Sequence, residues 1–254
     1  MQAVVHYNSF TPENIIFTAP KANKNKGLSA AIINNLTKSS LYMETPYCLA
    51  PFGLSFYDPT NGADESKKNW SLSIKASPGS LESSENVNHF FDSVRAIDEK
   101  MIDWGLEHSQ LIFKKAYKPN QRSIVEALYK RCVKPSVGKD GTVYPDKMDI
   151  KINKKEDGSP DILVYKDSPE PVNLSSWSEF QELITKGMPV KVIAQFKIFI
   201  IPGSYGMTLR AVQIKIPSVS RVAKPTIYAF ADPIVPSDKA SEEDDEVEVD
   251  EGDV

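Results

Sequence analysis

Residues 189 to 217 constrain the fold most. Two extended runs, PVKVIAQFKIFIIPG and SYGMTLRAVQIKIP, meet around Pro202-Gly203. In the first, Val190, Val192, Ala194, Phe196, Ile198 and Ile200 share one face and Lys191, Gln195 and Lys197 the other. Side chains alternate across a strand, so one side is apolar and the other partly cationic. The second run predicts Val212, Ile214 and Ile216 on one face and Gln213 and Lys215 opposite.

Shorter runs of the same kind precede it. LYMETPYC, FGLSFYDP and WSLSIKA lie between residues 41 and 76, and in the last Trp70, Leu72, Ile74 and Ala76 alternate with Ser71, Ser73 and Lys75. Residues 58 to 69 read as a hairpin tip carrying Lys67 and Lys68. MDIKINK opens a second β section, Lys154 to Asp161 a hairpin tip, ILVYKD its returning strand, and TIYAFAD a last strand. Between the β groups the period lengthens. Val87, Phe90, Phe91, Val94, Ile97, Met101 and Ile102 recur at three and four residues, predicting a helix over 85–104 capped by Ser83 or Ser84 and weakened at Gly105. A second helix is predicted from Arg122 to Cys132, and a third from Trp177 to Lys186 with Ser176 and Glu179 at capping-box spacing.

This order of elements predicts a mainly β (α+β) chain. The expected form is an antiparallel Greek-key barrel like the oligonucleotide/oligosaccharide-binding (OB) barrel, with inserted helices; a jelly-roll sandwich is the structural competitor. The expected division is an N-terminal extension with a basic loop over 1–38, the barrel over 39–236 with its helical insertion at about 84–135, and a tail over 237–254.

The tail sets the charge balance. The chain carries 30 Lys+Arg against 34 Asp+Glu, net −4. Ten of those carboxylates fall in DKASEEDDEVEVDEGDV, residues 238 to 254, with only Lys239 as cation. The preceding 237 residues therefore hold 29 cations against 24 carboxylates, net +5. A run of like charge without aromatics cannot bury enough apolar surface to offset its ordering entropy, so a disordered acidic C-terminal tail on a mildly basic body is expected.

The start, MQAVVHYNSF, lacks the basic and apolar regions of a secretory signal, and no apolar run approaches a membrane span. A chain kept in cytosol or nucleus, with no membrane partner, is expected. Cys48 and Cys132 are too far apart for a metal motif and read as buried thiols; His6, His89 and His108 lack ligand spacing. No phosphate loop, zinc-protease helix or nucleophile elbow occurs, so no enzyme, cofactor or metal is expected.

Binding chemistry remains. Single-strand recognition needs cations that follow phosphates and rings on which bases stack. The chain interleaves both: Lys67, Lys68, Trp70 and Lys75; Tyr144, Lys147 and Lys151; Lys191, Lys197, Tyr205, Arg210 and Lys215. Lys21, Lys24 and Lys26 add a basic loop over residues 20–27, read either as a phosphate-tracking arm or as a solvated surface loop. Tyr42, Tyr47, Phe52, Phe56 and Tyr57 join Trp70 as six aromatics in about thirty residues, some for the core and a few facing outward.

LYMETPYCLAPFGLSFYDP with NWSLSIKA, FFDSVRAIDEKMIDWG, and SYGMTLRAVQIKI resemble single-stranded DNA-binding proteins of large nucleocytoplasmic DNA viruses, similar to the short-tailed-phage type. The resemblance covers roughly residues 35 to 216. It implies an OB barrel coating single-stranded DNA in viral replication, recombination or repair, in the cytoplasm or nucleus of the host. It further implies a tail competing with DNA and contacting a replicative polymerase or helicase through Glu242, Glu243, Asp244, Asp245, Glu246, Glu248, Asp250, Glu251 and Asp253. The phage tails end in an aromatic residue, whereas this chain ends Gly252-Asp253-Val254. Homodimerisation stays open. Competing readings are a structural or virion-associated β-sandwich protein without nucleic-acid affinity and, third, a nucleotide-processing enzyme with dispersed carboxylates.

Overall fold

The long hairpin forms as its alternation predicts and closes a barrel. In the computed structural model, which describes residues 3–22, 27–61 and 67–217, its arms are Met188–Ile201 and Ser204–Lys215. The chain divides into Met1–Ser218 and Val219–Val254, and everything below belongs to the first unit. The expected TIYAFAD strand, the acidic tail, Lys24 and Lys26 lie outside the described residues.

In chain order we label β1 Tyr42–Glu44, β2 Cys48–Ala50, β3 Leu54–Tyr57, β4 Asn69–Lys75, β5 Tyr129–Lys130, β6 Lys134–Val137, β7 Val143–Lys151, β8 Leu163–Tyr165, β9 Met188–Ile201 and β10 Ser204–Lys215. Strand β9 pairs with β10 on one side and with β1 and β2 on the other. Strand β2 pairs with β4, β4 with β7, and β7 runs parallel to β10. The ring β2–β4–β7–β10–β9 is thus a closed five-stranded OB-like barrel, not a jelly-roll sandwich. Closure removes the exposed edges that an open sheet would leave.

One register shift departs from simple alternation. Ile193 pairs with Gln213 but Ala194 with Ala211, so Val212 is an extra residue. Leu209, Ala211, Ile214 and Ile216 are buried while Val212 is pushed outward, against the expectation that it shares a face with Ile214. A bulge reverses strand parity at one residue, which no periodicity count detects.

The helices are α1 Ser84–Glu107, α2 Ser109–Phe113, α3 Arg122–Leu128 and α4 Trp177–Leu183. Ser83 caps α1, its hydroxyl accepting from the Asn86 amide at 3.1 Å. The buried face of α1 carries the expected apolar series. The helix continues through Gly105, where a Cβ would lie 2.3 Å from the Tyr205 hydroxyl: the residue serves close packing and does not end the helix. The second helix stops at Leu128, short of the expected Cys132. Tyr129 is extended, pairs with β10 and donates its hydroxyl to Asp98 at 2.6 Å, so tertiary partners override the local helical pattern. The returning strand of the 154–161 hairpin is Pro160–Asp161, while β8 runs parallel to β10.

Helix α4 closes one end of the core. Trp177 stacks on Trp70 with ring centres 4.5 Å apart and 3° between planes, and donates its indole N–H to the Gly158 carbonyl at 2.8 Å. From the N-terminal stretch Tyr7, Phe10, Ile15 and Ile32 enter the same buried cluster. Among the described residues no helix is long and apolar enough to cross a membrane.

Gly105→Ala tests the close packing of α1. Alanine favours a helix interior by about 1 kcal/mol over glycine, yet overpacking against Tyr205 costs about 1–3 kcal/mol. The urea midpoint should therefore fall or at best stay level; a clear rise would show that α1 and Tyr205 are not in register as described.

Candidate nucleic-acid interface

Pleating decides which side chains leave the barrel. On β4, Leu72 and Ile74 point inward and Ser71 and Ser73 outward; on β7, Met148 and Ile150 point inward and Lys147, Asp149 and Lys151 outward. The register Ser71↔Lys151, Ser73↔Asp149 and Lys75↔Lys147 lays these outward residues side by side. Arg210 of β10 sits beside Lys151. Ser71, Ser73, Lys147, Asp149, Lys151 and Arg210 form the floor of a groove of about 980 Å³.

One wall comes from the connection between β2 and β4. It brings Phe52, Phe56 and Tyr57 to the surface, respectively 57%, 43% and 68% exposed. Lys68 places its ammonium 4.4 Å from the Phe56 ring centre, and Lys147 lies 5.4 Å from that of Phe52. A cation over a ring face is attracted by the ring quadrupole, so these pairs combine a stacking surface with positive charge. Another wall is the strip from Lys130 to Lys134, and Phe199, Met207 and Thr208 extend the groove toward the β9–β10 turn.

The groove is cationic. Among the described residues Lys68, Lys130, Arg131, Lys134, Lys147, Lys151, Lys154 and Arg210 line it against one carboxylate, Asp149. Part of this charge is engaged locally: Arg131 meets Glu99 at 2.8 Å and Glu126 at 2.6 Å, and Lys134 meets Asp149 at 2.7 Å. Asp149 also accepts from the Ser73 hydroxyl at 2.5 Å. Burial opposes its ionisation, but these hydrogen bonds and the charges of Lys134 and Lys147 outweigh burial and hold its pKa below the ordinary carboxylate value. The Nε atoms of Trp70 and Arg210 are buried beside the groove without a hydrogen-bond partner among the described residues. Among the described residues no group of three or more His, Cys, Asp or Glu is placed to hold a metal.

The structure brings together Lys68, Trp70, Lys147, Lys151 and Arg210 of the residues expected from the sequence. Trp70 needs correction as a stacking face. It is only 3% exposed, with Trp177 stacked on it and Phe56 tilted against it 4.9 Å away. Tyr205 is corrected more fully: it is wholly buried, packed against Tyr129 and Phe113 at 5.1 and 5.5 Å. Lys75 shares the outward parity of Ser73 but lies at the far end of β4, outside the lining, and Lys67 is an exposed neighbour of Lys68. Lys197 lies across from Thr208; burial first, then the charge of Arg210, lowers its pKa. Tyr144 is half exposed on the β6–β7 hairpin.

Lys191 and Lys215 belong elsewhere. They line a separate depression of about 480 Å³ with Lys166, Asp167 and Glu44, and Lys191 pairs with Glu44 at 3.2 Å. Their strand parity is that of a cationic face, but the barrel turns this part of the face away from the groove. Lys21 stands exposed on a short hairpin pairing Lys21–Ala22 with Leu28–Ser29, outside the groove lining.

Sequence reasoning missed Lys130, Arg131, Lys134 and Lys154 as site residues and left Phe52, Phe56 and Tyr57 unassigned. Lys130 and Arg131 fall inside the helix expected from Arg122 to Cys132, and Lys134 lies two residues beyond it.

No protein-family model matches the chain, and no curated protein matches it. Among solved structures, the single-stranded DNA-binding protein from bacteriophage Enc34 in complex with ssDNA is 12% identical, with a TM-score of 0.36 over 78% of this chain and 93% of that one. Gp2.5, a single-stranded DNA-binding protein encoded by bacteriophage T7, is 11% identical, with a TM-score of 0.37 over 74% of this chain and 98% of that one.

Asp149 predicts the acid response of the groove floor. A folded pKa held below the unfolded value of about 3.9 stabilises above that pH, and the contribution is lost as pH falls through the folded value. Thermal unfolding of Asp149→Asn should lie below wild type at neutral pH, and the gap should close below about pH 4. A gap independent of pH would show that packing, not the ionised carboxylate, makes the difference.

Proposed function

We propose that this chain is a non-enzymatic, sequence-tolerant single-stranded DNA-binding protein. The observation that carries the reading is the groove on the outer face of β4 and β7, cationic along its floor and rimmed by exposed rings. On OB barrels the face of the second and third strands, with the loops joining strands one to two and four to five, is where oligonucleotides bind. Here those parts are β4, β7, the Phe52–Lys68 connection and the β9–β10 turn. Phosphates would follow the lysines, and bases would stack on Phe52, Phe56 and Tyr57. Such contacts read no base edge and need no fixed sequence.

The sequence supports finer parts of the proposal. The resemblance to proteins of large nucleocytoplasmic DNA viruses supports a role in viral DNA replication, recombination or repair, in the cytoplasm or nucleus of the host. The carboxylate run over 238–254 supports competition with DNA for cationic surface and recruitment of a polymerase or helicase. The same resemblance leaves homodimerisation open.

Fluorescence titration of oligo-dT at several salt concentrations tests the reading. About four to six neutralised phosphates give a slope of log affinity against log salt of roughly −3 to −4. Lys147→Ala with Lys151→Ala should flatten it by about 1.4. Tyr57→Ala should weaken binding by about 1–3 kcal/mol while leaving the slope unchanged. Removing residues 238–254 should tighten binding, most at low salt where screening is weakest. A structural protein would leave oligo-dT unbound at physiological salt; unbound DNA at low salt as well would end the proposal.

A further inference from the structure

We propose that Asp98, a buried carboxylate on α1, is the positioning residue for the Lys130–Lys134 wall of the groove. The inference rests on the single-strand reading above and deepens it. Asp98 is fully buried on a helix face whose other buried members include Val94, Ile97, Met101 and Ile102. A carboxylate in such surroundings is unfavourable unless its oxygens are hydrogen-bonded.

Among the described residues the donors to Asp98 come from one five-residue strip, Tyr129 to Val133. Its Oδ1 accepts from the Tyr129 hydroxyl at 2.6 Å and from the Cys132 amide at 3.0 Å. Its Oδ2 accepts from the Cys132 and Val133 amides at 3.2 Å each. Two of the three donor groups are main-chain amides, so Asp98 fixes the path of the backbone and not merely one side chain. Cys132 and Val133 are buried at the turn of this path, while Lys130 and Lys134 on either side are exposed and line the groove.

Neighbouring features act on the same strip. Glu99, the next residue of α1, receives the Arg131 guanidinium at 2.8 Å from the outer side. Lys130 pairs in parallel with Gly206, where a Cβ would stand 2.6 Å from the Lys130 carbonyl oxygen. Lys134 then reaches Asp149 on the groove floor. The helix inserted between two barrel strands thereby holds cations at a distance from itself, through a residue that never touches the groove.

The test uses the full chain and three variants, Asp98→Asn, Tyr129→Phe and Lys130→Ala, with labelled oligo-dT and amide hydrogen exchange without DNA. Asp98→Asn should weaken oligo-dT binding about tenfold near physiological salt and flatten the salt slope by about 1–2, as expected when two or three cations leave the phosphate track. The Cys132 and Val133 amides should exchange faster, and Tyr129→Phe should move each readout the same way by less. Lys130→Ala calibrates the slope change for one lost cation. A merely structural role predicts lower thermal stability with slope and affinity unchanged, and that result overturns the inference. If Asp98→Asn does not fold, Tyr129→Phe decides on the same criteria. A wild-type chain that fails to bind oligo-dT at low salt overturns the single-strand reading and this inference with it; a binding wild type whose variants keep its slope overturns the inference alone.

Discussion

The pairing of β9 and β10 is the interaction on which the remaining structure depends. Residues 191–201 pair with 204–215 along nearly the whole hairpin, and each arm then uses its other edge to bind the rest of the barrel. Strand β9 offers that edge to β1 and β2, while β10 offers its own to β5, β7 and β8. A hairpin alone is marginal in water, and its apolar face is stabilised only when the sheet curls back over it. Closing the ring therefore supplies the core and, by the same geometry, turns Thr208 and Arg210 toward the groove. The Val212 bulge matters here, because it reconciles inward Leu209 and Ala211 with inward Ile214 and Ile216.

The two insertions perform different tasks against this barrel. Helix α4 closes an end of the core by stacking Trp177 on Trp70, which removes Trp70 from solvent and leaves Phe56 as the ring the groove presents nearby. Helix α1 buries its apolar face and also carries the charged residues that control the 122–133 connection: Asp98 inside, Glu99 and Asp103 outside. Arg122 reaches Asp103 at 2.7 Å and Glu99 at 2.9 Å, and Arg131 bridges Glu99 and Glu126. Exposed ion pairs contribute little individually, but a network spanning two elements fixes their mutual position better than any member alone.

What the sequence disclosed follows from which signals are local. Periodicity placed the long hairpin, β4, β7 and α1, because each alternation or three-to-four repeat is set by the faces of a single element. In MDIKINK, Lys151 alternates with Met148 and Ile150, and its side is the groove floor. Signals that depend on partners were not legible. Tyr129 to Cys132 continues an apolar helical spacing, and only Asp98 and Gly206, distant in sequence, draw it into an extended strip. Tyr205 and Trp70 look like available rings in the sequence, and only the three-dimensional packing shows one enclosed by Trp104, Tyr129 and Phe113 and the other covered by Trp177. Lys191 and Lys215 share a strand face with groove residues, yet barrel curvature separates them.

The distribution of charge gives this arrangement its physical sense. A barrel with net positive charge spread evenly would attract a polyanion without orienting it. Here Lys68, Lys147, Lys151, Arg210 and the 130–134 strip converge on one face with the rings of the β2–β4 connection, and Asp149 tethers Lys134 within it. Phosphates approaching that face meet a field concentrated by apolar walls, which strengthens attraction relative to open solvent. The lone carboxylate lowers the total charge but holds a flexible lysine in place, so fewer side-chain rotamers need ordering when a ligand arrives. Pre-arrangement of this kind raises affinity for a polyanion, and the share contributed by counterion release would make that affinity salt-sensitive.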